Sequence, residues 1–402
     1  MSASEPQRQF ALEVVKKLRD AGHEALWAGG CVRDQLLGLQ PKDYDVATSA
    51  LPDQVRELFG RRRTLAIGAA FGVITVRNRD VAPIEVATFR TDGKYVDGRR
   101  PESVEFTTAE HDAQRRDFTI NGLFFDPVAQ QVIDYVGGVA DLKARVVRAI
   151  GDPHQRFAED RLRMLRAVRF AATYEFELDG ATLAAIYSMA DAVLEVSGER
   201  IGAELRRILT HESRAYGVAL LADSGLIRPL LPELWRHAAA NDEPWEAALH
   251  RLYALQAPSF PAAVTALVFG MVDEGQLSAI AGRWRLSNKE LDRAAWLLKR
   301  MPAILTANTL PWPQLQRMLA HPASTELVSL AAASLPADDP AMIRCRRELL
   351  RPPHELDPPP LLTGDDLIAE GFKSGRHFSA LLEHLRDEQL EGRLGSREEA
   401  IA

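Results

Sequence analysis

The stretch that decides the fold is LWAGGCVRD at residues 26–34, followed by KDYDVAT at residues 42–48. Two glycines follow the apolar Leu-Trp pair, and the pattern after them predicts a helix from Val32 to Leu37, ended by a glycine and a proline. In the second part, polar and apolar residues alternate, which predicts a strand. Because residues two apart on a strand point the same way, Asp43 and Asp45 should present two carboxylates about 7 Å apart on one face.

Two neighbouring carboxylates repel each other unless a cation lies between them. Hard divalent cations, Mg²⁺ above all, prefer such oxygen ligands. Gly29 and Gly30 let the backbone approach closely, and the free N–H groups of the following helix start favour a phosphate. A phosphate cradle beside a metal pair predicts phosphoryl or nucleotidyl transfer. The alternative is a glycine turn followed by an ordinary strand with a polar outer face.

This stretch resembles the nucleotidyltransferase signature of bacterial (class II) tRNA CCA-adding enzymes and poly(A) polymerases. The matching residues are Gly29-Gly30-x-x-Arg33-Asp34, followed by Asp43-x-Asp45. The resemblance implies that Asp43 and Asp45 are the catalytic residues and hold two Mg²⁺ ions. It also implies that Gly30 and Arg33 grip the triphosphate of the incoming nucleotide.

A second motif, RRDFTINGL at residues 115–123, resembles a family segment that usually ends in Asn-Ala-Leu. Gly122 stands where the family has alanine, which exchanges one small residue for another. The resemblance implies that Arg116 holds ribose or phosphate, for which its rigid donor fork is suited. The alternative is a structural pairing of Arg116 with Asp117 or Asp34.

The pattern predicts a single helix from Pro153 to Thr173 with one apolar face. On its other side, charged residues recur at three-residue spacing, and a solvated ladder of ion pairs is one interpretation. Glu159-Asp160-x-x-Arg163 also resembles the family motif that reads the incoming base. The residues that we assign to nucleotide binding here are Asp160, Arg163, Arg166 and Arg169.

Two segments between these motifs leave alternatives open. Glu85 lies in a predicted strand, where it is either a third metal ligand beside the Asp43 and Asp45 pair or part of a solvated sheet face. The segment 90–101 is charged and rich in turn residues, which predicts a loop. It resembles the flexible loop that helps change nucleotide specificity in CCA-adding enzymes, and a plain surface loop is the alternative.

Composition limits the class of protein. The chain has 402 residues, of which 46% are hydrophobic and 26% charged, as in ordinary globular proteins with more than one domain. Its two cysteines exclude a disulfide framework and a cysteine-based zinc site. No apolar run suffices to span a membrane and no signal-peptide core is evident, so we predict a cytoplasmic protein. The net charge of −7 still permits a local basic surface for RNA.

The predicted fold class is α+β, with a small mixed-sheet nucleotidyltransferase head followed by an all-helical neck, body and tail. The predicted boundaries are 1–150 for the catalytic head, 151–215 for a neck with the nucleotide-recognition helix, and 216–350 for the helical body. Residues 351–402 form a proline-rich linker and a helical tail that binds tRNA.

The function implied by the resemblance is template-independent addition of CCA to the 3′ end of tRNA, from CTP and ATP. Poly(A) polymerases tend to carry a Gly-basic-basic-Phe signature, whereas this chain has Gly60-Arg61-Arg62-Arg63-Thr64, which favours CCA addition. A-adding or C-adding half-enzymes and a poly(A) polymerase are the alternatives within the family. An RNA-binding protein with an inactive head is a remote alternative. No obligate protein partner is evident.

Overall fold

The computed structural model describes residues 5–93, 103–373, 375 and 377–402. The chain divides into two compact units, Met1–Trp235 and Arg236–Ala402. The predicted division into head, neck, body and tail is finer than this division and stays a prediction. Most of the predicted loop, residues 94–101, lies outside the described residues, whereas Arg90–Asp92 forms a short strand paired with Val104–Phe106.

The first unit combines short strands with helices. Its strands are β1 Ala25–Ala28, β2 Asp45–Thr48, β3 Thr64–Gly68, β4 Val73–Val76, β5 Ile84–Thr88, β6 Arg90–Asp92, β7 Val104–Phe106, β8 Phe124–Asp126, β9 Gln131–Ile133, β10 Val146–Val147 and β11 Glu177–Leu178. Its helices are α1 Glu5–Asp20, α2 Gly30–Leu36, α3 Pro52–Phe59, α4 Ala109–Gln114, α5 Gly138–Ala144, α6 Pro153–Glu159, α7 Leu162–Tyr174, α8 Gly180–Met189, α9 Gly198–Leu209, α10 Arg214–Asp223, α11 Ile227–Leu230 and the start of α12 Pro232–Ala240.

The central sheet has seven strands in the order β3-β4-β5-β2-β1-β8-β9. Only β2 and β5 are parallel, and the other neighbours are antiparallel, so the predicted mixed sheet is confirmed. Their register places Asp45 opposite Glu85, while Trp27 on β1 lies opposite Val46. As a result, the start of β2 lies at the same edge of the sheet as the end of β1 and the start of β8.

Burial of apolar side chains explains why these elements form. The helix α1 buries Phe10, Ala11, Val14, Val15 and Leu18, which recur at helical spacing. On β2, Val46 and Ala47 are buried, as are all four residues of β1. Both faces of these central strands are therefore covered, which holds the sheet edge in place.

The single helix predicted from Pro153 to Thr173 is wrong. The chain forms α6 and α7 instead, and Asp160 between them has an extended backbone with φ −142° and ψ 105°. One oxygen of the Asp160 carboxylate accepts a hydrogen bond from the backbone N–H of Leu162 at 3.1 Å. The side chain thus caps the new helix, which favours a break where periodicity alone indicated continuity.

The second unit contains helices and no named strand among its described residues, as predicted. These helices are the remainder of α12, α13 Glu243–Ala254, α14 Phe260–Val268, α15 Glu274–Arg283, α16 Asn288–Ile304, α17 Trp312–Leu319, α18 Ser324–Ala332, α19 Pro340–Leu349, α20 Pro353–Leu356, α21 Gly364–Ala369, α22 His377–Leu390 and α23 Arg397–Ile401. None of the helices in the described part of the chain has the length and apolar character needed to cross a membrane. Both cysteines, Cys31 and Cys345, are buried and unpaired, in agreement with the prediction.

Candidate active site

A cavity of about 650 Å³ opens at the sheet edge where β1 ends and β2 begins. The residues that line it are Gly29, Gly30, Arg33, Asp43, Asp45, Arg115, Arg116, Asp117, Asn121, Asp160, Leu162, Arg163, Arg166, Arg169, Phe170 and Arg200. All the predicted site residues except Glu85 are in this set, so the fold brings together side chains more than 120 positions apart. Seven arginines against four aspartates make the cavity suitable for a polyphosphate.

The floor of the cavity is formed by the glycine turn. Gly29 has a φ of +71°, and a β-carbon there would lie 2.8 Å from Nη1 of Arg116. This position requires a residue that adopts a positive φ and has no β-carbon, which is glycine. Other residues rarely adopt this backbone conformation, and their β-carbon would displace the Arg116 guanidinium. The Arg116 guanidinium also donates to Asp112 and to the carbonyl oxygen of Asn121. Arg116 therefore pairs with Asp112, and not with Asp117 or Asp34.

The two aspartates point into this cavity. Asp43 and Asp45 are exposed, while Tyr44 between them is buried, which agrees with the predicted alternation, although β2 begins only at Asp45. Although Asp45 is exposed, the surrounding protein atoms desolvate its carboxylate, and this desolvation is the main cause that raises its pKa. The negative charges of Asp43 and Glu85 raise it further, so that the pKa of Asp45 is about 7. This like-charge repulsion is what a divalent cation would relieve, so the pair fits a metal ion.

Glu85 is less well placed. It is the register neighbour of Asp45 on β5, but it does not line the cavity. Nor do three potential metal-ligating side chains come together anywhere in the described part of the chain. The assignment of Glu85 as a metal ligand stays a prediction.

A buried network links Arg33 to Arg166. Nη1 of Arg33 donates to Oδ1 of Asn121 at 2.5 Å, and Nδ2 of Asn121 donates to Asp117 at 3.1 Å. The other oxygen of Asp117 accepts from Nε and Nη2 of Arg166 at 2.9 and 2.5 Å. Burial would raise the pKa of Asp117, but Arg166 and the amide of Asn121 lower it to about 2. The carboxylate is thus ionised at neutral pH, and it orients Arg166 directly and Arg33 through Asn121.

Aromatic rings also contact the guanidiniums of Arg33 and Arg166. The guanidinium carbon of Arg33 lies 4.5 Å from the ring centroid of Tyr174, whose hydroxyl donates to Asp34 at 2.9 Å. Asp34 in turn accepts two hydrogen bonds from Arg33. Three guanidiniums surround the ring of Phe170, at 5.3 Å for Arg33, 5.3 Å for Arg166 and 3.9 Å for Arg169. Stacking on these rings limits the motion of the cations.

Asp160 and Arg163 have partners other than those predicted from spacing. Oδ2 of Asp160 accepts from Arg200 at 2.8 Å, and Nη1 of Arg163 donates to Glu159 at 2.5 Å. The solvated ladder of ion pairs, the alternative interpretation of this segment, does not form, because the helix is interrupted at Asp160. Arg169 bonds Glu204 on α9 at 2.5 Å. Each of these charged groups is therefore oriented by a specific neighbour.

Besides Gly29 of the quoted glycine pair, six lining residues were not predicted as site residues: Arg115, Asp117, Asn121, Leu162, Phe170 and Arg200. Asp117 and Asn121 lie inside the quoted motif, so the motif itself was the available signal. Nothing in the local sequence pattern around Arg200 indicates that it reaches Asp160, 40 positions away.

Comparison with known proteins shows the family of this chain. Residues 25–148 match the family model described as the Poly A polymerase head domain, and residues 175–237 match the probable RNA and SrmB-binding site of polymerase A. The chain is 38% identical to the CCA-adding enzyme of Geobacillus thermodenitrificans over 341 residues, which are 82% of this chain and 80% of that protein. The chain belongs to the family of CCA-adding enzymes. It is therefore a tRNA nucleotidyltransferase, in a family that uses a divalent metal ion.

Other CCA-adding enzymes extend the match to almost the full length. The one from Levilactobacillus brevis is 32% identical over 398 residues, covering 98% of this chain and 96% of that protein. The crystal structure of the Bacillus stearothermophilus CCA-adding enzyme in complex with CTP superimposes with a TM-score of 0.74 and 29% identity, covering 98% of this chain and 96% of that one. A Thermotoga maritima CCA-adding enzyme complexed with tRNA, at 21% identity and a TM-score of 0.68, shares the fold.

Proposed function

We propose that this protein completes the 3′ end of tRNA with CCA, taking cytidylate from CTP and adenylate from ATP, in the cytoplasm. The observation that carries the proposal is the single cavity in which a carboxylate pair faces seven arginines. Nucleotidyl transfer needs a metal-binding acid pair next to a cationic polyphosphate site, and this cavity provides both. Membership of the CCA-adding family supports the choice of tRNA as acceptor.

Asp43 and Asp45 are the proposed ligands of Mg²⁺, since two carboxylate groups at an open cavity suit a hard ion with oxygen ligands. When bound, Mg²⁺ would favour ionisation of the RNA 3′-hydroxyl and offset the charge of the departing pyrophosphate. Arg33 and Gly30 hold the triphosphate in this proposal, and Arg116 holds ribose or phosphate. These groups align the α-phosphate with the 3′-hydroxyl, and such alignment supplies much of the rate of phosphoryl transfer.

Asp160 and Arg163 are proposed to select the base, with Arg166 and Arg169 completing the nucleotide pocket. A carboxylate accepts hydrogen bonds and a guanidinium donates them. Cytosine and adenine each offer an amino donor beside a ring acceptor, whereas uracil and guanine offer a carbonyl beside a ring N–H. The pair therefore suits C and A, and a mismatched edge leaves buried polar groups unpaired. Arg200 and Glu159 hold the two side chains in place, so we add Arg200 as a positioning residue.

The proposal is tested by incubating the pure enzyme and Mg²⁺ with tRNA that lacks its 3′-terminal CCA, offering each triphosphate separately and then CTP with ATP. Sequencing the products should show two cytidines followed by one adenosine, and no extension with UTP or GTP. Addition of only C or only A would identify a half-enzyme, and an oligoadenylate tail would identify a poly(A) polymerase. No incorporation by the wild-type enzyme would contradict the proposed function.

The link between Arg33 and Asp117 gives a further prediction. Asn121→Ala removes a buried hydrogen bond to a charged group, worth about 1.5–3 kcal/mol. We expect the KM for CTP and for ATP to rise by similar factors, roughly 10-fold or more, because Arg33 holds the triphosphate shared by both nucleotides. Discrimination against UTP and GTP should not change. Steady-state kinetics with all four triphosphates on one tRNA measures these values.

A matched control separates orientation from stability. Gln316 is a buried amide in the second unit, where Nε2 donates to the carbonyl oxygen of Leu356 at 2.8 Å. Gln316→Ala should lower the melting temperature without changing the KM for either nucleotide. If Asn121→Ala lowers the melting temperature similarly while its KM values stay normal, Asn121 has only a structural role.

A further inference from the structure

A second cationic site lies on the first unit, outside the cavity described above. A concave surface of about 460 Å³ is lined by Arg62, Arg63, Arg77, Asn78 and Arg79, with no acidic or apolar side chain in the lining. Two chain segments form it, one directly before β3 and one directly after β4. They are joined by a hydrogen bond from the Arg77 N–H to the Arg63 carbonyl oxygen at 2.8 Å. We call this surface the arginine cluster.

The charges of the arginine cluster are not offset within the protein. All four arginines are exposed, and within the described residues none of their guanidiniums forms an ion pair. Asp80 is the only acidic residue between positions 60 and 80, whereas Arg61 adds a further positive charge. The chain as a whole has a net charge of −7, so general basicity does not explain this accumulation. Unpaired guanidiniums grouped in a concave surface are suited to a multiply charged anion.

The register of the sheet locates the cluster relative to the catalytic carboxylates. Val76 at the end of β4 lies opposite Thr64 at the start of β3 and opposite Ile84 at the start of β5. Asp45 at the start of β2 lies opposite Glu85, so all four strand ends lie at the same edge of the sheet. With strands about 4.8 Å apart, β4 lies about 10 Å and β3 about 14 Å from β2 along that edge.

We propose that the arginine cluster, through Arg62, Arg77 and Arg79, binds backbone phosphates of the RNA strand whose 3′ end lies at Asp43 and Asp45. This inference rests on the proposed function, because it assumes an RNA acceptor. At about 3.4 Å per nucleotide step along a helical strand, a separation of 10–14 Å corresponds to roughly three or four steps from the 3′-terminal nucleotide, which is beyond the two steps of a trinucleotide. Guanidinium and amide donors position a nucleic acid through its phosphates without reading sequence. The cluster therefore sets affinity for the acceptor and takes no part in choosing C or A.

The test is a triple variant, Arg62→Gln with Arg77→Gln and Arg79→Gln. Its charge-matched control is Lys16→Gln with Lys143→Gln and Lys289→Gln, three exposed lysines outside the cluster and the cavity. Equilibrium binding of labelled tRNA lacking CCA is measured at several salt concentrations, together with steady-state kinetics of CTP incorporation. Melting temperatures of both variants establish that they are folded.

We expect the cluster variant to bind tRNA at least about tenfold more weakly at low salt, and the slope of log affinity against log salt to become shallower by about 2. Turnover at saturating RNA and the KM for CTP should match those of the control. With a trinucleotide acceptor, too short to reach the cluster, cluster variant and control should behave alike. A longer oligonucleotide should restore the difference between them.

Four results would overturn the inference. One is tRNA affinity equal to that of the control. Another is an equal defect with the trinucleotide, and the third is a weaker inhibition by pyrophosphate with unchanged RNA affinity, which would assign the cluster to the free product. Cluster-dependent binding to phosphatidylglycerol vesicles, with unchanged RNA affinity, would assign it to lipid headgroups instead. If the wild-type enzyme incorporates no nucleotide, the proposed function fails, whereas equilibrium binding still decides what the cluster binds.

Discussion

Replacement of either proposed metal-binding carboxylate, by Asp43→Asn or Asp45→Asn, is expected to reduce kcat for CTP and ATP by at least about a thousandfold. Each substitution removes a proposed metal ligand, and a metal ion supplies several kcal/mol of transition-state stabilisation, where about 4 kcal/mol corresponds to a factor of a thousand. The amide keeps the shape of the side chain, so the loss reports charge rather than packing. Single-turnover incorporation into tRNA lacking CCA measures the effect.

Stability provides a second measurement that does not depend on turnover. Desolvation, with the Asp43 and Glu85 carboxylates, raises the pKa of Asp45 to about 7. A carboxyl whose folded pKa lies above its unfolded value destabilises the fold increasingly as pH rises between those two values. In metal-free buffer at pH 7–8, Asp45→Asn should therefore melt at a higher temperature than the wild type. Mg²⁺ should raise the melting temperature of the wild type but not of the variant.

Asp53→Asn is the control for both measurements. Asp53 is an exposed carboxylate in the first turn of α3 and lies outside the cavity. The Asp53→Asn variant should retain the wild-type kcat and the wild-type increase of melting temperature with Mg²⁺. If Asp43→Asn and Asp45→Asn both retain more than about a tenth of the wild-type rate, a difference of 1.4 kcal/mol, these residues are not the metal ligands of the reaction.

Asp160→Ala is expected to decrease kcat/KM for CTP and ATP by roughly 10- to 150-fold, the equivalent of a lost hydrogen bond to a charged group. The kcat/KM for UTP and for GTP should decrease much less, because their carbonyl edges accept no hydrogen bond from this carboxylate and donate none to it. The preference for C and A over U and G should narrow accordingly. Competition among all four triphosphates on one tRNA, with sequencing of the products, gives the ratio.

The contacts of Asp160 supply a related variant and a control. Arg200→Gln releases the carboxylate from its hydrogen bond at 2.8 Å and should reproduce part of the narrowed preference. Asp191→Ala removes an exposed carboxylate that pairs with Arg228 and should leave discrimination unchanged. A charge-reversed double variant would be harder to interpret, since Arg163→Asp would place a carboxylate beside Glu159. Full discrimination in Asp160→Ala would show that the base is selected elsewhere.

The structure also shows why periodicity misled the prediction of one helix at Pro153–Thr173. The apolar spacing continues across residues 159–161, so the pattern of hydrophobic residues contains no break. The Asp160 carboxylate, however, accepts hydrogen bonds from the backbone N–H of Leu162 and from the guanidinium of Arg200. The second partner is 40 positions away, and a pattern that reports local spacing cannot indicate it.

The sequence by itself determined the family and the candidate site residues of this protein. The glycine pair and the alternating Asp43 and Asp45 could be recognised from short-range spacing along one turn or strand, and the arginines from three short motifs that resemble those of the family. The tertiary structure alone decided which distant side chains orient these charged groups. Arg33 is oriented by Asn121, 88 positions away, and Asp117 by Arg166, 49 positions away. Such pairs depend on how separate elements pack, and the same packing places the arginine cluster at the sheet edge that carries Asp45.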